Sequence, residues 1–556
     1  MSVRNGFVLL LALSALTFLV ACGGSSSGIS NPTPPPTGGF TNANLNGTYV
    51  FSVSGTDSND ASYAIAGTLT ADGSGGNGKG NITAGAIDIN DPSGLTAPAA
   101  GVPINSGGFY SISVDGRGQI TIGISQAISG FPNLTFDFVL QDTNHGLVTE
   151  FDPFGTGSGT IDLQAAGVTP TGSYAFSLSG ASGTSAWATA GNFTLTGSAL
   201  AGLDDLNEGG ASILPGQALS GSLALASSNG PATTLTVPGF SGTFDAFAID
   251  STHLKLIEMD TIATLSGDAF SQTSTDFPTG TLAFTLEGEI LSGFFAGGGI
   301  MTTTGTSISG TEDYNQNGSP SSASAPPPFT ATSTAGGTGR FTLGGFSSSF
   351  VGGTSYAAYP SSGGLLLLEI DGTGITTGAA YSQSASATLA ASEGYGLNLS
   401  GIFAPGTANA AEVDDIAEFT TSSNGNTISG VIDENSTASL QGAVSTTFSA
   451  PFVNNSTATS TYTTPTGGRG QIGASVGTSS NDTTLNGGFL LTYYTVDGTT
   501  FPFIETDSGQ VSAGVFVQQN PSASASAARH AMFVVQPIIR PPLLPRQGMP
   551  CSSCSQ

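Results

Sequence analysis

Hydrophobic and polar positions alternate along most of this chain. In "YVFSVSG" (49–55), Tyr49, Phe51 and Val53 point to one side of an extended backbone. The same run, ending in Gly, returns as "YAFSLSG" (174–180), "LAFTLEG" (282–288) and "YGLNLSG" (395–401). A period of two is the mark of a strand with one face in a core, and Gly, Asn, Asp and Ser clusters supply the turns between runs. Between Thr48 and Gln164 eight such runs follow one another in simple succession. Eight successive antiparallel strands predict an all-β meander that closes into an up-and-down barrel, with a two-sheet β-sandwich as the alternative.

The pattern repeats at a larger scale, with three signatures recurring four times in one order. The first is the strand ending in Gly. The second is Asp-x-Asn: Asp88 and Asn90, Asp205 and Asn207, Asp313 and Asn315, Asp433 and Asn435. The third is Glu-x-Asp with Gln twelve residues after the Asp: Glu150, Asp152 and Gln164; Glu258, Asp260 and Gln272; Glu369, Asp371 and Gln383; Glu505, Asp507 and Gln519. Residues 136–180 align without gaps on 244–288. Four tandem copies follow, over 45–167, 168–275, 276–388 and 389–522, each long enough to bury its own core. Pro/Ser/Thr-rich insertions in copies three and four are expected to be surface loops.

Outside the repeats, a basic start at Arg4 precedes an apolar stretch from Phe7 to Val20, the layout of an export signal over residues 1–21. It ends in Leu19-Val20-Ala21-Cys22, which resembles the lipobox of bacterial lipoproteins. That resemblance implies cleavage before Cys22 and lipid on its sulfur, and Gly23 in place of a retaining Asp implies export to the outer membrane or cell surface. Residues 22–44, rich in Gly, Ser and Pro, read as a tether. The tail 523–556 is basic and Pro-rich. Its Cys551 and Cys554 predict a local disulfide rather than a redox motif, which needs a helix start that Pro550 and the chain end do not supply. The whole pattern resembles repeat-bearing lipoproteins of soil bacteria, a resemblance that brings no activity with it.

Charge narrows the partners. Nine Lys and Arg stand against 37 Asp and Glu, a formal net charge of −28. Such a surface repels phosphate, so neither nucleic-acid binding nor electrostatic membrane docking is expected, and lipid is the expected membrane link.

The repeated carboxylates are the candidate chemistry. Residues two apart on a strand share a face, so each Glu points with its Asp, and the opposite face (Thr149, Phe151, Ile257, Met259, Leu368, Ile370, Ile504, Thr506) reads as core. The carboxylates are then expected to face solvent or a neighbouring strand, orienting their own strand through turn amides and the Gln. Cations are scarce enough to place individually. Arg117, Arg340 and Arg469 precede the Glu by some thirty residues in copies one, three and four, and Lys255 stands near Glu258 in copy two. One ion pair per copy, from this cation to Glu-x-Asp, is expected to fix strand register. No cofactor is expected; calcium is a second reading of the carboxylates, since Asp313-x-Asn315-x-Asn317-Gly318 copies the start of an EF-hand loop, although its twelfth position is Ser324. A carboxylate-pair glycosidase is a third reading, but Trp187 is the single Trp and four equal copies suit an array better than one active site. His145 and His253 occupy equivalent places with no third ligand for a transition metal, and no nucleophile elbow or phosphate loop occurs. The sequence therefore predicts a non-enzymatic, lipid-anchored envelope protein whose β domains form a stalk, adhesive or interaction array toward a surface polysaccharide or protein. A lipocalin-like carrier is the alternative and a carbohydrate-active enzyme the third.

Overall fold

The computed structural model describes residues 39–522, apart from 76–77, 129, 227–232, 239, 273, 322–324, 424–425, 438–445, 453–458 and 477–487. Cys22, Cys551, Cys554, the signal, the tether up to residue 38 and the tail beyond 522 lie outside the described residues. What is described is all-β, with one 3-10 turn at Asn42–Asn44.

The first three copies each build a closed antiparallel barrel, and the fourth builds an open, barrel-like sheet, called barrel 4 below. Barrel 1 runs from Asn46–Asp57 to Gly155–Leu163, and these two strands pair to close an eight-strand ring, with Ala99–Pro103 as an added ninth strand. Barrel 2 closes between Ser173–Ser182 and Thr264–Ser271. Barrel 3 closes between Gly280–Ile290 and Gly374–Ser382. In barrel 4, Gly394–Phe403 pairs with Gln510–Gln518 inside a nine-stranded sheet, and the isolated bridges Thr427–Thr461 and Phe452–Val476 link residues near its two edges. A sheet that returns on itself leaves no strand edge to pair with a stranger, which is why the meander prefers the barrel to two stacked sheets.

Side chains fill the interiors. Phe51 packs edge-on against Phe136 in barrel 1, and Phe501 stacks on Phe516 in barrel 4. The cavity among Phe284, Met301, Phe329, Phe350 and Tyr356 of barrel 3 holds about 20 Å³, room for one water at most.

The barrels do not trail one after another. The first three strands of each pack on the last three strands of the next, and those of barrel 4 pack on the last three of barrel 1. Four seams, 1/2, 2/3, 3/4 and 4/1, thus form a closed cycle, and the expected stalk is corrected to a ring. Each seam has an apolar cluster of its own, separate from the barrel cores. Seam 1/2, for example, joins Val50, Ala64 and Ala66 to Phe247, Ile257 and Met259. One repeated contact between two different faces closes when the rotation between neighbours permits.

Burial on both sides explains one error in the sequence reading. Every residue of Thr500–Glu505 and of His253–Glu258 is buried, whereas Pro328–Gly337, which faces solvent, keeps the alternation. The first kind of strand has a barrel core on one side and a neighbouring barrel on the other. Polarity along it therefore cannot tell inside from outside.

Candidate functional site: the four seams

The repeated signatures turn out to be the parts of the seams. Each Asn of Asp-x-Asn is last or next to last in the third strand of its barrel and donates its side-chain amide across the seam to backbone carbonyls at the Glu-x-Asp turn of the next barrel. Asn90 reaches Glu258 O and Ala263 O at 2.9 Å each. Asn207 reaches Glu369 O at 2.8 Å and Gly374 O at 2.9 Å. Asn315 reaches Asp507 O and Gln510 O at 2.7 Å and Glu505 O at 3.2 Å. Asn435 closes the cycle on Glu150 O and Gly155 O, at 2.7 Å each, and Asp152 O. Strand ends leave such carbonyls without partners, and one amide from outside satisfies two or three of them.

The Asp of Asp-x-Asn meets the scarce cations, which corrects the expected pairing. Arg340 of barrel 3 grips Asp205 of barrel 2 through Nε (2.8 Å) and Nη2 (2.5 Å), and the Tyr359 hydroxyl donates to the same carboxylate. Arg469 of barrel 4 repeats this on Asp313, at 2.7 and 2.6 Å, with Tyr494 at 2.9 Å. Arg117 of barrel 1 divides itself between Asp433 of barrel 4 (2.7 Å) and its own Asp115 (3.2 Å). Lys255 instead pairs with Asp268 inside barrel 2, at 2.8 Å. Among the described residues none of these four cations pairs with Glu-x-Asp, and the three guanidiniums cross to a different barrel. A fork-shaped guanidinium matched to both carboxylate oxygens fixes direction as well as distance.

The Glu-x-Asp pair splits its work. Each Asp clamps two backbone amides of its own barrel, one on or beside the strand that pairs with the Glu strand and one in the following turn. Asp152 takes Thr135 N and Phe154 N, and Asp260 takes Thr243 N and Ile262 N. Asp371 takes Ser355 N and Thr373 N, and Asp507 takes Leu490 N and Gly509 N. Each Glu points into the barrel interior, contrary to the expected outward face, because Val148, Leu256, Leu367 and Phe503 two residues before it belong to the barrel cores. Thr149, Ile257, Leu368 and Ile504 face the seams instead, as Asn398 donating to the Thr149 hydroxyl illustrates. Burial, followed by the charge of its Asp, raises Glu258 to about 9, and burial raises Glu369 to about 8. Glu150 and Glu505 are pushed well above the usual carboxylate range for the same reasons. These acids are held neutral near pH 7.

The Gln twelve residues on also crosses a seam rather than meeting the carboxylates. Gln164 donates to Ala248 O, Gln272 to Pro360 O and Gln519 to Leu140 O, equivalent carbonyls in successive barrels. Gln383 lies against Gly468, where the backbone has φ +89° and a Cβ would strike the Gln amide. That clash explains the Gly before Arg469, and Gly116 and Gly339 repeat it before Arg117 and Arg340.

The EF-hand-like stretch is committed elsewhere: Asp313 holds Arg469 and Asn315 holds carbonyls of barrel 4. Among the described residues no group of three or more His, Cys, Asp or Glu is arranged to hold a metal ion. His145 bonds Asp162 at 2.8 Å and His253 bonds Asp268 at 2.6 Å. Sequence reasoning missed Tyr359 and Tyr494, and it missed the hydroxyls of seam 4/1, where Thr156 (2.8 Å) and Ser158 (2.7 Å) donate to Asp414. The missing signal was which copy touches which.

No protein-family model matches the chain, and no curated protein matches it. Among solved structures, the isotype 1 transferrin binding protein B from serogroup B Neisseria meningitidis is similar over 68% of this chain and 84% of its own, at 10% identity and a TM-score of 0.17. A double mutant of transferrin binding protein B from Haemophilus parasuis Hp5 is similar over 68% and 83%, at 7% identity and a TM-score of 0.15. At these scores the likeness carries no argument about fold or function.

Proposed function

We propose that this protein is a non-enzymatic, lipid-anchored component of the bacterial envelope, at the outer membrane or cell surface. Its ring of four barrels is a rigid platform for a surface protein or polysaccharide. The observation that carries this reading is the closed cycle of seams: the first and last three strands of every barrel are spent on neighbours, which leaves turns and middle strands such as Pro328–Gly337 and Ser212–Ser222 to meet a partner. Lipid on Cys22 supplies the anchor in this reading.

Two measurements test it. Labelled palmitate is incorporated by the native protein and not by Cys22→Ala, and a panel of envelope polysaccharides and surface proteins yields a binder whose polymer stays intact. Cleavage of a polysaccharide by the purified chain refutes the non-enzymatic reading. A carrier function is less favoured, since the barrel 3 interior has space for about one water.

A further inference from the structure

Seam 1/2 breaks the rule that the other three follow. Asp88 sits like its siblings: Gly101 N donates to its Oδ1 at 2.6 Å, as Gly216 N does to Asp205 Oδ1 at 2.7 Å. In the sibling seams the other oxygen, Oδ2, receives a guanidinium, at 2.8 Å from Arg340, 2.7 Å from Arg469 and 2.7 Å from Arg117. Barrel 2 has no Arg to offer. Its single Lys or Arg is Lys255, already 2.8 Å from Asp268. Phe247 stands where barrels 3 and 4 place Tyr359 and Tyr494. No N–H or O–H donor among the described residues reaches the buried Asp88 Oδ2; what faces it from barrel 2 is a second buried carboxyl, Asp245. Two carboxylates in contact in a dry seam cannot both ionise, so they hold a proton between them.

We propose that seam 1/2 is a proton-operated joint: one proton shared by Asp88 and Asp245 takes the place of the guanidinium used elsewhere, and its loss loosens barrel 1 from barrel 2. Asp245 and the Gly101 amide are the polar groups that meet Asp88. Further ionisable groups at the seam are His253, Lys255 and Asp268 of barrel 2 and His145 and Asp162 of barrel 1, which pair among themselves, Asp250 of barrel 2 near His145, and Asp91, Glu258 and Asp260 around the Asn90 end. Burial, then the Asp245 carboxyl, raises Asp88 to about 8. A raised carboxyl contributes its stability in full below the ordinary carboxylate range and loses it progressively as the pH climbs from there to about 8, so the joint is tightest in acid medium and loosest above pH 8. Asn90, the amide lock of this seam, borders a cleft of about 200 Å³ between Pro92, Leu95 and Pro98 of barrel 1 and Asp260, Ile262 and Thr264 of barrel 2. Movement at the joint reshapes that cleft.

Hydrogen exchange on the intact chain, followed by mass spectrometry and corrected for intrinsic rates, tests the joint. Peptides covering Ser62–Asp72 and Phe240–Ala248 report seam 1/2, and those covering Gly293–Thr303 and Phe489–Tyr494 report seam 3/4. Opening at seam 1/2 is expected to rise by up to about tenfold per pH unit between about pH 5 and pH 8, the slope for one proton, and to level off above pH 8, while seam 3/4 stays flat. Asp88→Asn is expected to remove the slope, and Asp245→Asn serves as the second variant should the first not fold. Equal pH profiles at the two seams, or a wild-type slope in a folded variant, overturn the proposal.

Discussion

Seams 2/3 and 1/2 use the same strands at matching positions, yet one is fastened by a fixed charge and the other by a carboxyl pair. At 2/3 the Asp205 carboxylate is fully enclosed by Arg340, Tyr359 and the Gly216 amide. At 1/2 the homologous Asp88 faces Asp245. A guanidinium keeps its charge at every pH a cell meets, whereas a carboxyl pair is held only while protonated. A repeated contact can thus keep its shape while the chemistry holding it changes from copy to copy.

Breaking the stronger seam gives the largest expected effect. Asp205→Ala strands a buried guanidinium and is expected to cost about 3–5 kcal/mol in urea unfolding; Asp88→Ala, which strands no cation, is expected to cost about 1 kcal/mol or less at pH 8. Next comes pH itself. Glu258 is raised to about 9, and Glu369, Glu312 and Asp137 to about 8, all chiefly by burial. Folding takes up their protons, so their contribution is complete in acid and is lost as pH rises through 8 to 9; the thermal midpoint is expected to fall by at least about 5 °C between pH 6 and pH 9. Asp162 and Asp268, held low against burial by His145, Lys255 and His253, act the other way and lose their contribution only below the usual carboxylate range.

Asn435→Ala frees three buried carbonyls at seam 4/1, the seam with no linker segment, and is expected to cost about 2 kcal/mol by the same denaturant titration. Glu369→Gln keeps the side-chain shape and removes the titration. It is expected to change stability by under about 1 kcal/mol at pH 6 and to flatten the alkaline fall. Calcium gives the smallest effect: calorimetry with the ion and with chelator is expected to differ by less than about 1 °C, because the Glu-x-Asp aspartates hold backbone amides and Asp205, Asp313 and Asp433 hold guanidiniums.

Much of the barrel was legible in the sequence, because strand period, turn residues and the count of eight are local properties. The repeat was legible for the same reason, and so was the special standing of Asn90, Glu150, Asp152 and Gln164. Their purpose was not. Arg117 pairs with Asp433, 316 residues away, and nothing in spacing reveals that the first copy meets the last. The outward face of Thr149 and Ile257 was misassigned because a strand packed on both sides carries no polarity contrast. Tyr359 and Tyr494 were invisible because an isolated Tyr on a buried strand reads as core until its hydroxyl is placed.

The first and last described segments meet at the same corner. Asn44 donates to Pro521 O, and Asn520 N donates to Gln141 O. Where the polypeptide is cut is therefore a matter of genetics rather than mechanics: a circular permutant that joins the fourth copy to the first and starts at the second would keep every contact. The number of copies is not free in the same way. The tilt from one barrel to the next returns to its origin after four, so a gene that lost one copy would leave two complementary faces bare and would drive its products into chains of molecules.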